Sequence, residues 1–166
     1  HRLGPRVHHI GRRIEVDAVA LMDGPVFGHQ PGEPCLRRRP VLPGETVFVW
    51  PPDNVAMREA RQRGYLRPGL CPGGFGPLIK TVIAVAGQRV DVTDHIAVDR
   101  VPIPGSRIME KDGQGRSLRH GQSGMVRAGE VYLHSDFIGS WDSRYFGPVP
   151  VSGVLGLAQE VLTYAP

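Results

Sequence analysis

The sequence has no long apolar run. No stretch reaches the roughly 18 to 20 apolar residues that a membrane-spanning helix requires, and the first residue is His1 rather than Met. We therefore expect either a chain that is soluble throughout or one whose N-terminal anchor was removed. Cysteine is scarce as well, since Cys35 and Cys71 are the two present. They are compatible with one disulfide in an oxidising compartment or with two ordinary thiols.

The sequence also lacks the patterns that hold metals, nucleotides or nucleic acids. Its seven histidines have no cysteine or carboxylate partner at metal-ligand spacing, so no metal is expected. No phosphate-binding loop is present, because the glycine-rich run at residues 71–76, CPGGFG, leads into no helix, and no cofactor is expected. The formal net charge is +4, but the arginines form no stripe interleaved with aromatic residues. We interpret this charge as a solvated face and expect no nucleic-acid partner.

Glycine and proline, in contrast, are abundant, with 22 and 16 residues among 166. Such a composition favours short strands joined by many turns over a helical bundle. A hydrophobic fraction of 40% is enough to build a packed core. Neither an internal repeat nor a domain boundary is evident. The composition therefore predicts a single, mainly β domain over residues 1–166.

Alternation of apolar and polar residues locates the strands. Along residues 14–22 the apolar side chains alternate with Glu15 and Asp17, a period of two that is typical of a half-buried strand. Further strands are predicted at residues 46–50, 89–92, 96–101 and from 131, with one or two closing strands within 149–162. The most hydrophobic stretch is residues 78–86, which Lys80 interrupts.

One short helix is predicted at residues 55–63. It follows Asp53, whose carboxylate can cap it, and precedes Gly64, which accepts the left-handed conformation of a helix end. Residues 66–77 are predicted to form a turn-rich loop. Residues 105–124 are polar and contain glycine, which predicts a mobile excursion from the domain.

Lys80 is the first residue whose chemistry needs an explanation. It lies among apolar neighbours in the run PLIKTVIAVAG. Burial disfavours the ammonium form and lowers the pKa of a lysine, which makes the amine a candidate general base at neutral pH. Such an amine can deprotonate a serine hydroxyl in a two-residue version of the serine protease arrangement. The alternative is a strand lysine whose stem packs while its head reaches water.

A second cluster packs polar residues into the run SDFIGSWDSRYFG. Asp142 and Arg144 can form an ion pair that fixes a turn, and Ser140 can form a hydrogen bond with a nearby amine. The alternative is a polar turn made of local hydrogen bonds between side chains and backbone.

Several segments resemble the signal peptidase I clan of serine-lysine proteases. The clan's segment that carries the lysine base is similar to residues 78–90, LIKTVIAVAGQRV, and its Ser-x-Asp-Ser-Arg-x-x-Gly segment is similar to residues 140–149, SWDSRYFGPV. Its Gly-Asp-x-Val strand is similar to residues 43–50, PGETVFVW, where Glu45 replaces the usual aspartate. Within the clan, residues 51–80 resemble the TraF-type peptidases of conjugal transfer, which mature the pilin of a mating apparatus; they read PPDNVAMREARQRGYLRPGLCPGGFGPLIK.

This resemblance implies a fold and a set of roles. The fold would be an antiparallel, signal-peptidase-like β domain with one short helix and long loops. Lys80 falls on the family's general base, and Ser140 falls on the serine that orients it. Asp142 and Arg144 fall on the pair that supports the site.

The same resemblance places the nucleophile in a Ser-x-Pro-x-Gly context before the strand at residues 46–50. The counterpart is MDGPVFG, in which Asp23 stands where the serine is expected, and all seven serines lie between Ser106 and Ser152. A carboxylate is a poor nucleophile toward an amide, and beside Lys80 it would hold the amine protonated. Cys35 is outside the motif, and a disulfide or packing role is favoured for it.

By resemblance, the chain is a serine endopeptidase that cleaves a pilin or a signal-peptide-bearing precursor. The substrate would bind as an extended peptide along an exposed strand edge. An anchor outside this chain would hold the domain at the periplasmic face of the bacterial inner membrane. The alternative is a catalytically inactive homologue that binds peptides or serves assembly in a secretion or mating apparatus. A third reading, a basic nucleic-acid-binding barrel, leaves both motifs unexplained.

Overall fold

The computed structural model describes residues 11–16, 40–71 and 73–163. Two of the residues singled out above, Asp23 and Cys35, lie outside these ranges. The prediction of a mainly β, antiparallel domain is confirmed, because two antiparallel sheets account for most of the regular structure.

The larger sheet has six antiparallel strands, and the strand that carries Lys80 lies in its interior. From one edge to the other, its strands are β1 (Gly11–Val16), β11 (Val154–Thr163), β2 (Thr46–Val49), β4 (Leu78–Val85), β9 (Glu130–His134) and β10 (Val149–Pro150). In the register of the central strands, Val47 lies opposite Lys80 and His134 lies opposite Thr81. The β4–β9 register shifts between Val82 and Ala84. The sheet therefore brings the end of β9 beside the strand that carries Lys80.

The smaller sheet has four strands and does not include β4, the strand that carries Lys80. Its order is β7 (Val101–Pro102), β6 (Ile96–Val98), β5 (Arg89–Val92) and β8 (Gly124–Met125). The strand predicted at residues 96–101 is wrong in its length, because the chain turns after Val98. Asp99 and Arg100 have φ angles of 48° and 71° there. This left-handed conformation is uncommon for residues other than glycine, and the pattern of residue types there does not predict the turn.

The first helix, α1 (Val55–Gln62), agrees with the prediction to within one residue. Its cap is Asn54 rather than Asp53, because the Asn54 Oδ1 atom accepts a hydrogen bond of 2.9 Å from the backbone nitrogen of Met57. Asp53 instead pairs with Arg58. Gly64 follows with a φ of 76°, the left-handed conformation that was expected of it.

Several short elements were not predicted. The loop expected at residues 66–77 contains a short strand, β3 (Pro68–Cys71), and Pro68 forms an isolated bridge with Phe75. A second helix, α2 (Ser143–Phe146), lies within the run SDFIGSWDSRYFG, in addition to the one helix that was predicted. It has only four residues, too few for a periodic pattern to be recognised in the sequence.

The buried apolar residues form two clusters. One includes Val47, Val82 and Leu133 and lies on the central strands of the larger sheet. The other joins α1 and the smaller sheet to Trp141 and Tyr145. The second cluster therefore ties the start of α2 to the rest of the domain.

The segment at residues 105–124 has little regular structure but is attached at several points. Ile108 packs in the core, and Ser106 is buried, where its Oγ atom accepts a hydrogen bond of 3.0 Å from the backbone nitrogen of Ile96. Leu118 packs against the same core from a partly exposed position. The mobility expected of this segment stays a prediction.

Candidate active site

Lys80 lies on β4, and its side chain reaches the loop that follows β9. The Lys80 Nζ atom donates a hydrogen bond of 2.7 Å to the Ser140 Oγ atom, although 60 positions separate the two residues. Both residues were singled out in the sequence, and the structure brings them together. The contact is short and involves a partly buried lysine, so it fixes the direction of the amine.

The environment of Lys80 favours the neutral amine. Burial lowers the pKa of Lys80, and the nearby Arg144 guanidinium lowers it further. The carboxylate of Asp142 acts in the opposite direction, but it is weaker than burial. A larger fraction of this amine is therefore unprotonated near neutral pH than for an exposed lysine, and only the unprotonated form can accept a proton.

Ser140 is held in place by the loop between β9 and α2. Its backbone nitrogen donates a hydrogen bond of 2.9 Å to the carbonyl oxygen of Phe137, which closes a turn. The residue is 7% exposed. Because the backbone fixes the position of the hydroxyl, the Lys80 contact does not depend on a freely rotating loop.

Asp142 and Arg144 form a fully buried ion pair at the start of α2. Two hydrogen bonds of 2.8 Å join them, from Arg144 Nε to Asp142 Oδ1 and from Arg144 Nη2 to Asp142 Oδ2. Asp142 also caps α2 and accepts a hydrogen bond of 3.1 Å from the backbone nitrogen of Ser135. Such a two-fold contact satisfies a buried carboxylate and a buried guanidinium at once.

The remaining donors of Arg144 bind carbonyl oxygens of two separate segments. Nη1 donates to Arg107 at 2.9 Å, and Nη2 donates to Phe137 at 3.1 Å. The guanidinium thus joins the start of the 105–124 segment to the loop that carries Ser140. The predicted Asp142–Arg144 pair is therefore present. It takes no part in the Lys80–Ser140 hydrogen bond but holds the loop that carries Ser140.

Two residues at this site were not given a role from the sequence. His134 ends β9 with 2% exposure, burial lowers its pKa, and its Nε2 atom has no hydrogen-bond partner among the described residues. Ser143 is fully buried, and its Oγ atom accepts a hydrogen bond of 2.9 Å from the backbone nitrogen of Leu133. Continuing the alternation of the strand predicted from residue 131 would have placed His134 in the sheet, but not beside Asp142 and Arg144.

Asp23, the position predicted for the nucleophile, lies outside the described residues, and so does Cys35. Within the described ranges, no group of three or more histidine, cysteine, aspartate or glutamate residues is arranged to hold a metal. None of the helices described there is long and apolar enough to cross a membrane.

Comparison with known proteins agrees with the motifs. Residues 29–163 match the family described as signal peptidase, peptidase S26, and the chain belongs to this family. It is also a homologue of TraF proteins of conjugal transfer. It is 61% identical over 128 residues to the probable conjugal transfer protein TraF of Sinorhizobium fredii, a match that covers 77% of this chain and 68% of that protein.

A second relative covers more of the chain. It is the conjugal transfer protein TraF of Agrobacterium tumefaciens, which is 46% identical over 155 residues, or 90% of this chain and 88% of that protein. Among solved structures, a signal peptidase I from Enterococcus faecalis aligns with 72% of this chain and 97% of its own, at 18% identity and a TM-score of 0.42. The family predicted from the sequence is confirmed by the family match and by the two TraF relatives.

Proposed function

We propose that this chain is the catalytic domain of a TraF-type serine-lysine endopeptidase, of the kind that cleaves a pilin or a signal-peptide-bearing precursor in conjugal transfer, with aspartate in place of the nucleophilic serine at position 23. The observation that carries the proposal is the 2.7 Å contact between the partly buried Lys80 amine and the Ser140 hydroxyl. A lysine with a lowered pKa and a fixed direction is what a general base requires.

In the proposed reaction, Lys80 moves one proton in each half. The neutral amine takes the proton of a serine hydroxyl while the serine oxygen bonds to the carbonyl carbon of the substrate. The resulting ammonium gives this proton to the leaving nitrogen as the C–N bond breaks, which leaves an acyl ester. A water molecule then loses a proton to the amine and attacks the ester, and the serine recovers its proton as it leaves.

Ser140 would act as a positioning residue in this scheme. One N–H of the neutral amine is occupied by the Ser140 Oγ atom, so the lone pair points away from Ser140. Asp142 and Arg144 would hold the Ser140 loop rather than touch the substrate. No cofactor takes part.

The serine that Lys80 would deprotonate is expected at position 23, where this chain has aspartate. That absence favours a second candidate function. A carboxylate beside Lys80 would stabilise the ammonium and silence the base. The chain would then be an inactive homologue that binds an extended peptide or helps to assemble a secretion or mating apparatus.

The proposed location follows from the family. The relatives are named for conjugal transfer, and the family is that of signal peptidases. We propose that the domain works at the periplasmic face of the bacterial inner membrane and that an anchor outside this sequence attaches it there. Its partner would be an extended peptide segment of a pilin or another precursor.

Cleavage by engineered chains tests the proposal. The substrate is a synthetic peptide that spans a signal-peptide junction, incubated with the unaltered chain, with Asp23→Ser and with Asp23→Ser/Lys80→Ala. We expect cleavage by Asp23→Ser alone, because it combines a hydroxyl nucleophile with the base. Adding Lys80→Ala removes general-base catalysis, which typically contributes about 10²- to 10⁴-fold.

The outcomes separate the candidates. Cleavage by the unaltered chain that Lys80→Ala abolishes would show that the assignment of position 23 is wrong. Absence of cleavage by Asp23→Ser, with peptide binding retained, would support the inactive homologue instead. The matched control is Asp53→Ser, which introduces a serine at an exposed aspartate far along the chain from the motif.

A further inference from the structure

A cavity of about 280 Å³ is lined in part by Ser140, whose hydroxyl contacts Lys80, whereas Lys80 itself does not line it. Three segments that are distant in the sequence form its walls. The loop after α1 contributes Tyr65, the 105–124 segment contributes Met109 and Leu118, and the segment formed by α2 and the loop before it contributes Ile138, Trp141 and Tyr145. We call it the aromatic cavity. None of the roles proposed above for Lys80, Asp142 and Arg144 uses this space.

The aromatic rings form a stiff wall. Trp141 stacks on Tyr145 with ring centroids 5.1 Å apart and an angle of 4° between the planes, and Tyr65 lies 5.1 Å from Trp141 at 47°. The Tyr145 hydroxyl accepts a hydrogen bond of 3.3 Å from the backbone nitrogen of Met109, which attaches the opposite wall. Packed rings of this kind bind apolar groups through area and geometry at little entropic cost.

The carboxylate of Asp112, which lines the cavity, already has hydrogen-bond partners. The Asp112 carboxylate accepts hydrogen bonds from the Tyr65 hydroxyl, from Arg116 Nε at 2.6 Å, and from the backbone nitrogens of Gln114 and Arg116 at 2.9 Å each. These contacts hold the pKa of Asp112 well below its usual range. With its charge compensated in this way, Asp112 does not select for a cationic ligand. Lys111, the other charged residue of the lining, is exposed, whereas the buried lining residues are Ser140, Trp141 and Tyr145.

The size and the position of the cavity define its occupant. Small-molecule sites usually measure about 300 to 1,000 Å³, so a cavity of about 280 Å³ lies at the small end of this range and has room for one bulky side chain. Ser140 contributes to the wall, and its hydroxyl contacts the Lys80 amine. A ligand group in the cavity would therefore lie beside Ser140, which in turn contacts the proposed base Lys80.

We propose that the aromatic cavity is a subsite that binds one bulky apolar side chain, such as leucine, of the peptide substrate. This inference rests on the proposed function, since it places the side chain beside the Lys80–Ser140 contact. Occupation of the subsite would hold the peptide in register with the amine. The selectivity for that side chain would then come from Tyr65, Leu118 and Trp141.

Trp141 provides a direct measure of binding that does not need cleavage. The chain has two tryptophans, so Trp50→Phe leaves Trp141 as the reporter. N-acetyl-leucinamide is titrated into this full-length variant, and N-acetyl-alaninamide is the matched probe. We expect a saturable change in Trp141 fluorescence with the leucine probe and at least about 10-fold weaker binding of the alanine probe, since less apolar area is buried.

A filling substitution tests where the probe binds. Leu118→Phe adds volume inside the cavity, and we expect it to weaken binding of the leucine probe by about 10-fold. Val101→Phe is the control, because Val101 is 64% exposed on β7 and does not line the cavity. Circular dichroism confirms that both variants fold. If Leu118→Phe and Val101→Phe bind the leucine probe as the parent does, the proposal is wrong.

The proposed subsite and the proposed catalytic function can be disproved independently of each other. In the Asp23→Ser chain, a series of alanine peptides with leucine at successive positions is tested for kcat/KM. A preference for leucine at one position that Leu118→Phe removes and Val101→Phe retains supports the subsite. Cleavage without any leucine preference or Trp141 response overturns the subsite only. A Trp141 response without any cleavage retains the subsite as a binding site and overturns the proposed catalytic function.

Discussion

Two aspartate–arginine pairs stand at the starts of the two helices, and they differ in exposure. Before α1, Asp53 and Arg58 are joined at 2.6 Å, but their side chains are 84% and 56% exposed. Before α2, Asp142 and Arg144 are joined at 2.8 Å and neither is exposed. The first pair is a surface contact, whereas the second also organises the loop that presents Ser140 to Lys80. Distance alone therefore says little about what an ion pair does.

The largest expected difference in the free energy of unfolding comes from removing one partner of each pair. Asp142→Ala leaves the buried Arg144 without compensation, and we expect a loss of about 3 to 5 kcal/mol in the free energy of unfolding. The control Asp53→Ala should cost less than about 1 kcal/mol, because water screens the exposed charges. Urea denaturation measures both. Equal losses in the two variants would contradict the distinction between the pairs.

A smaller effect is expected from the hydroxyl that the buried pair positions. Ser140→Ala removes one hydrogen bond, and the expected loss of unfolding free energy is about 0.5 to 1.5 kcal/mol. In the Asp23→Ser background, Ser140→Ala should also lower kcat, because the Lys80 amine is no longer oriented. KM should change little, because the substrate keeps its contacts. Ser140→Thr retains a hydroxyl and should restore part of the rate. A change in KM alone would argue against a positioning role.

The lowered pKa of Lys80 predicts how stability varies at alkaline pH. Between the folded-state pKa and the usual value of 10.5, the unfolded chain holds a proton at Lys80 and the folded chain does not. The free energy of unfolding therefore gains a contribution as pH rises toward 10.5. Lys80→Met lacks this contribution, so its stability should rise less than that of the parent in urea titrations between neutral and alkaline pH. Parallel curves would show that the lysine is not shielded.

The smallest effect concerns His134, whose pKa burial lowers from 6.5. As pH falls below about 6.5, the unfolded chain takes up a proton at this position before the folded chain does, so the folded state loses stability. His134→Gln should flatten this part of the curve relative to the parent. Thermal unfolding of both chains between pH 7 and about pH 5 measures the difference, and identical slopes in the variant and the parent would contradict it.

Local features of the site could be read from the sequence. Arg144 follows Asp142 by two positions, so a turn is enough to pair them. Lys80 lies in an apolar run, which is typical of a strand, but that run left open whether the amine is shielded or reaches water. The helix at 55–62 was predicted with nearly correct ends, but Asp53 and Asn54 are both good caps. Only the observed path of the chain selects Asn54.

The sequence by itself determined the residue types, the family and the local pairs, because these depend on short stretches of chain. Tertiary structure alone decided which distant groups meet. Lys80 and Ser140 are 60 positions apart and come together because β4 pairs with β9, whose end leads into the Ser140 loop. The aromatic cavity likewise needs Tyr65, Leu118 and Trp141 from three separate segments. No local pattern encodes such contacts, since they exist only when the sheets and the core have closed around them.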